Sequence, residues 1–217
     1  MIQPTQTRMA REVAEIPEAA QRFLDGSGAA LKAAAQALRQ ADPVLIATIA
    51  RGSSDHAATY LKYAIELLAG VPVASVGPSV ASVYGRHLRL SGAACIGISQ
   101  SGKSPDIVAM MESARSTGAL TLALTNQADS PMAAAVEHPL ALLAGPETSV
   151  AATKTFVNSV LAGLALLAEW QEDADLRRAV PEPCTHAGTR SHGPTFEAKR
   201  AGSPCPEIGR ASCRERV

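Results

Sequence analysis

Aromatic side chains are scarce: Phe, Trp and Tyr make up 3% of the 217 residues. That excludes an aromatic-centred core. The 47% of hydrophobic residues must pack as Ala, Leu, Val and Ile. Net charge is missing too, with 20 Lys and Arg against 20 Asp and Glu. A balanced chain has no diffuse field to draw it to nucleic acid or an anionic membrane, so any anion it binds must be held locally. No apolar run is long enough to span a bilayer. The first eleven residues lack the apolar segment of a secretory signal, and the expected compartment is the cytoplasm. Cysteine is nearly absent before residue 180. Cys95 stands alone there, in an apolar run, and reads as a small core hydrophobe. Cys184, Cys205 and Cys213 crowd the end of the chain at spacings that match no zinc or redox pattern, and no metal site is expected.

What is present is alternation. Residues 7–40 read as two helices rich in Ala, Leu, Glu and Arg, punctuated by Pro17 and by Asp25-Gly26-Ser27-Gly28. Short apolar runs then predict strands over 44–50, 71–76, 93–98, 120–125 and 138–143. Between and after them, helices are expected over 55–68, 79–86, 105–117, 131–136 and 150–170. In the first of these, Tyr60, Tyr63, Ala64 and Leu67 share one face. Five apolar strands separated by helices imply an α/β fold: a five-stranded parallel sheet with helices on both faces. Ligands of such sheets bind beyond the carboxyl ends of the strands. The polar loops after the first, third and fifth strands are therefore the places to look.

The loop after the third strand is Ser99-Gln100-Ser101-Gly102-Lys103-Ser104-Pro105-Asp106. Ser104 suits the N-cap and Pro105 the first helical position. Hydroxyls and backbone N–H groups then converge at a helix N-terminus, an anion site in which Gly102 permits the close turn. Ser99, Ser101 and Ser104 can each donate to phosphate oxygens, and Gln100 can bond a phosphate or a sugar hydroxyl. A plain capped turn is the alternative. The spacing is neither a Walker loop nor the dinucleotide glycine fingerprint. The loop after the first strand is Arg51-Gly52-Ser53-Ser54-Asp55-His56, where Ser53 or Ser54 is the natural N-cap. His56 is a candidate acid–base group, or a packed or surface side chain one turn into a helix. The loop after the fifth strand runs from Gly145 through Glu147 and Val150 to Lys154. Glu147 is read either as an exposed loop carboxylate or as a partner for an amine or hydroxyl.

Together these three loops resemble the sugar isomerase (SIS) domain, and more narrowly the first isomerase half of glucosamine-fructose-6-phosphate aminotransferase and its shorter deaminase-like relatives. The resemblance covers about residues 8–180. It implies a five-stranded sheet in flavodoxin-like order. It also implies that Ser53, Ser54, Ser99, Gln100, Ser101, Gly102, Ser104 and the backbone near Val150 contact a hexose phosphate or amino-sugar phosphate. No cofactor is implied. The implied assembly is a homodimer or a pairing with a second SIS domain. The family's catalytic Glu, His and Lys belong to that second domain, and Glu147 and His56 are the only local candidates here. With about forty residues ahead of the sheet, no glutaminase domain is expected. A sugar-phosphate-sensing SIS module of a transcription regulator is the non-enzymatic alternative, although residues 7–40 are too short and too little basic for a DNA-binding domain.

The reading divides the chain into a helical segment, 1–43, an SIS domain, 44–180, and a tail, 181–217. The tail holds five prolines and shows no periodicity, and its composition predicts disorder. Its last eleven residues, from Glu207 to Val217, read like a translated sequencing adapter. That predicts a frame shift near Val180, with a truncated gene and a non-native end.

Overall fold

The computed structural model describes residues 7–180. The expectations for the tail lie outside the described residues. Three helices open this region, where two were expected: α1 (Arg8–Ala14), α2 (Ile16–Gly26) and α3 (Gly28–Ala41). The chain restarts at both punctuation points. Pro17 lies in the first turn of α2, where its missing N–H costs nothing. Thr7 caps α1 by accepting from the amide of Ala10 at 3.1 Å.

The sheet follows: β1 (Leu45–Ala50), β2 (Val73–Ser75), β3 (Ala93–Ser99), β4 (Leu120–Thr125) and β5 (His138–Ala141). All neighbours pair in parallel, in the order β2-β1-β3-β4-β5. The connecting helices are α4 (Ser53–Leu68), α5 (Ser79–Ser82), α6 (Pro105–Ser116) and α7 (Pro131–Ala135). After β5 come α8 (Lys154–Trp170) and α9 (Ala174–Ala179). Among the described residues no helix is long and apolar enough to cross a membrane.

Strand alternation divides the core between the two faces of the sheet. Ile46, Ile96, Ile98, Leu122 and Leu124 join the cluster under α3, α4 and α8. The opposite face takes the small residues Ala47, Cys95 and Ala123, against Met110 and Met111 of α6 and Met132 of α7. Cys95 is fully buried, as expected, and burial pushes its thiol up to about 12. The N-terminal helices belong to this layering, because α2 and α3 both pack on α8.

One expectation is completed and one changes. The face of α4 carrying Tyr60, Tyr63 and Leu67 points to solvent, with Leu67 80% exposed. The core face is instead Ala57, Ala58, Leu61 and Ile65. Small residues serve because α8 comes close at Gly163, where an added Cβ would lie 2.1 Å from Leu61 Cδ2. The last long helix starts at Lys154 and not at residue 150, so Val150 lies on a loop.

Candidate functional site

The order reverses between β1 and β3, since the chain passes from β1 out to β2 and returns on the other side. Loops leaving two such strands diverge to opposite faces and open a crevice at their carboxyl ends. Register keeps those ends level: Ala50 pairs with Ile98, and Ser99 with Thr125. A cleft of about 210 Å³ lies at this point.

The loop after β1 contributes Arg51, Ser53 and Ser54 to the cleft, and the loop after β3 contributes Ser99, Gln100, Ser101 and Ser104. Ile98 and Ile107 form its apolar wall. The loop after β5 supplies Val150 and Ala152, with Val150 fully exposed. Seven of the eight residues expected to bind ligand therefore line one cavity. The eighth, Gly102, sits behind the wall. Its φ of 60° and its contact with Ser130 admit no side chain, since an added Cβ would lie 2.2 Å from Ser130 Oγ. Its carbonyl accepts from the amide of Met132 at 3.0 Å, which ties the loop to α7.

One cap expectation is corrected, and the other holds for the position but not for the side chain. Gly52, at φ 59°, holds the cap position of α4, and neither Ser53 nor Ser54 does. Both serines fall inside the first turn, which leaves their hydroxyls to the cleft. Ser104 holds the cap position of α6, with Pro105 beginning the helix, but its side chain makes no cap bond. The amides of the Ser99 loop are less open than the motif suggests. Gly102 N–H donates to Ser99 Oγ at 3.2 Å, and Lys103 N–H donates to Ser101 Oγ at 3.3 Å. The hydroxyls are thereby oriented by the loop's own backbone.

His56 is exposed and does not line the cleft. Glu147 is half-buried behind it and fully engaged. Its Oε1 accepts from Thr153 N–H at 2.8 Å, Thr153 Oγ1 at 2.8 Å and Thr155 N–H at 3.3 Å. Its Oε2 accepts from Gln100 Nε2 at 3.2 Å. Burial would raise its pKa, but the donors of Thr155 and Thr153 outweigh burial and hold it below the ordinary value. Glu147 is thus the cap of α8, supplied from six residues upstream, and the link between the loops after β3 and β5.

Sequence reasoning gave Arg51 no role, and it is the cleft's cation. Its guanidinium is paired with Asp106 in the first turn of α6, across the switch point. A charged residue at the carboxyl end of an otherwise apolar strand was the available signal. Glu12 of α1 and Glu15 at its C-cap were also missed. Glu12 is buried and accepts from Thr148 and Ser149, and Glu15 pairs with Lys154. Nothing local in the sequence marks them.

Residues 37–169 match the SIS domain model. The chain belongs to the SIS domain family. Over 127 residues it is 39% identical to the glutamine–fructose-6-phosphate aminotransferase [isomerizing] of Symbiobacterium thermophilum, covering 58% of this chain and 20% of that enzyme. The Aquifex aeolicus enzyme of the same name is 35% identical over 173 residues, covering 77% of this chain and 28% of its own length. The chain thus spans 20% to 28% of these curated relatives. A crystal structure from Silicibacter pomeroyi DSS-3, of a protein assigned as a phosphosugar isomerase, superposes with a TM-score of 0.78 at 60% identity. That match covers 80% of this chain and 53% of the other. The parallel five-stranded SIS architecture is common to both.

Proposed function

We propose that the switch-point cleft binds the phosphate end of a phosphorylated hexose or amino sugar, as the binding half of an amino-sugar-phosphate isomerase or deaminase. One observation carries this reading: the hydroxyls of Ser53, Ser54, Ser99, Ser101 and Ser104 and the Arg51 guanidinium converge on one cavity at the start of α6. A phosphate dianion needs several donors and a nearby positive charge, and a helix N-terminus adds its own partial charge. Arg51 holds its ion pair with Asp106 at the rim, so an entering phosphate has a cation to recruit. Gln100, fixed by Glu147, is placed to meet a sugar hydroxyl. In this role the SIS domain anchors and orients the sugar, which is catalysis by positioning.

The test is thermal unfolding with and without ligand. Glucosamine 6-phosphate or fructose 6-phosphate is expected to raise the melting temperature, whereas the unphosphorylated sugars leave it unchanged. Equal shifts with both sets would overturn the phosphate assignment. Ser101→Ala should weaken binding by about 1.5–3 kcal/mol, the value of one hydrogen bond to a charged group. Ser91→Ala is the control, because Ser91 lies before β3 at the opposite end of the sheet. Calorimetric titration reads both variants.

A further inference from the structure

The loop that brings Val150 and Ala152 to the cleft has no regular structure of its own between β5 and α8. Its shape is imposed from outside: Arg22 of α2 and Asn126 hold residues 143–145, and α1 with its C-cap holds the rest. Glu12 is 6% exposed. Its carboxylate accepts from Thr148 N–H at 2.6 Å, Thr148 Oγ1 at 3.3 Å and Ser149 N–H at 3.2 Å. Almost one turn further along α1, at its C-cap, Glu15 accepts from Lys154 Nζ at 2.5 Å. The Lys154 side chain is 1% exposed and also donates to Pro146 O at 2.8 Å. The two carboxylates therefore grip the loop on either side of Val150, one in its middle and one at its junction with α8. Neither grip is replaceable by water at low cost. Without Glu12, two backbone donors lose a charged acceptor. Without Glu15, a buried ammonium keeps a carbonyl but no counter-charge.

We propose that α1 is a clasp, in which Glu12 and Glu15 are positioning residues that hold residues 146–154 in the shape that presents Val150 and Ala152 to ligand. The proposal rests on the sugar-phosphate reading of the cleft. It extends that reading to a helix that touches no part of the cavity. Neither glutamate contacts ligand; each acts through the backbone of the loop. Glu147 completes the arrangement from within by joining the same loop to Gln100.

The experiment uses the full chain with Glu12→Gln and Glu15→Gln, and Glu18→Gln as a charge control on the exposed side of α2. Two readouts are taken: amide hydrogen exchange, and affinity for glucosamine 6-phosphate. Glu12→Gln is expected to speed exchange at Thr148 and Ser149 by about tenfold or more, while β3 and β4 keep their protection. Affinity should fall by about tenfold in the same variant, and Glu18→Gln should move neither readout. Unchanged exchange in the loop overturns the clasp. Faster exchange with unchanged affinity overturns the positioning role. If the wild-type chain protects the loop but binds no sugar phosphate, the sugar-phosphate reading falls, while faster exchange in Glu12→Gln still supports the clasp. Glu15 is half exposed, so Glu15→Gln, read in the same two ways, carries the test should Glu12→Gln fail to fold.

Discussion

A carboxylate beside a cleft full of hydroxyls invites a catalytic reading, and the surroundings of Glu147 decide against it. Donors from Thr153, Thr155 and Gln100 surround it and keep it ionised. A proton shuttle at neutral pH needs the opposite, a group whose pKa is raised toward the working pH. The same donors make Glu147 a source of pH-dependent stability. Its folded pKa lies below the ordinary 4.5, so the folded state holds its proton less tightly than the unfolded chain. The stabilisation is complete above about pH 4.5 and is lost as pH falls through the depressed folded value. Urea midpoints measured down a pH series should therefore fall more shallowly below about pH 4.5 in Glu147→Gln than in wild type, from a lower plateau at neutral pH. A variant whose curve runs parallel to wild type would show that Glu147 is not the group responsible. Glu12, also held below its ordinary value, contributes in the same direction. Of the residue-level readings, the serines and Gln100 were legible in sequence because they follow strand ends directly. Arg51, Glu12 and Glu15 were not, because their partners lie 55 to 139 positions away.

At the scale of elements, the α4–α8 crossing does most to place the loop after β1. Leu61 of α4 fills the notch left by Gly163 of α8. Two effects compete in Gly163→Ala. Alanine favours a helix by about 1 kcal/mol. Against that, Leu61 is 1% exposed with a cavity of only about 10 Å³ beside it, and overpacking of this kind costs about 1–3 kcal/mol. The clash should win, and the melting temperature should fall. Gly28→Ala at the start of α3 meets nothing within 4 Å and should be neutral or slightly stabilising, which gives the comparison its control. A stabilised Gly163→Ala would mean that the helices separate more easily than this packing implies. The pattern 150–170 misled about α8 for a related reason. Its hydrophobic composition continues upstream of Lys154, but Glu147 fixes the first amides at Thr153 and Thr155, and the loop ahead of them is held by α1.

At the scale of the whole molecule, the proposed sugar-phosphate cleft has no matching base among the described residues. The cleft offers hydroxyls, an amide and a guanidinium; His56 lies outside it, and Glu147 is committed to α8. The 217-residue chain is therefore expected to bind glucosamine 6-phosphate without releasing ammonia or interconverting the sugar. An ammonia assay and a separate assay for sugar interconversion check this. Turnover abolished by Glu147→Ala or His56→Ala would show that the site is complete as it stands.

The sequence by itself determined five strands in a parallel sheet, and three polar loops at the carboxyl ends of the first, third and fifth. Those features are written in short-range periodicity and in Gly, Pro and Ser at strand ends, where the backbone's own geometry limits the choices. It also marked Tyr60, Tyr63 and Leu67 as sharing a face, but not which way that face turns. Only the tertiary structure decided that these three look outward, that Arg51 and Asp106 meet across the switch point, and that Glu147 caps a helix. Only it brought α1 to the loop after β5. The reason is physical: a carboxylate reads the same in sequence whether it faces water or two backbone amides 136 and 137 residues away, and packing alone brings those amides to it.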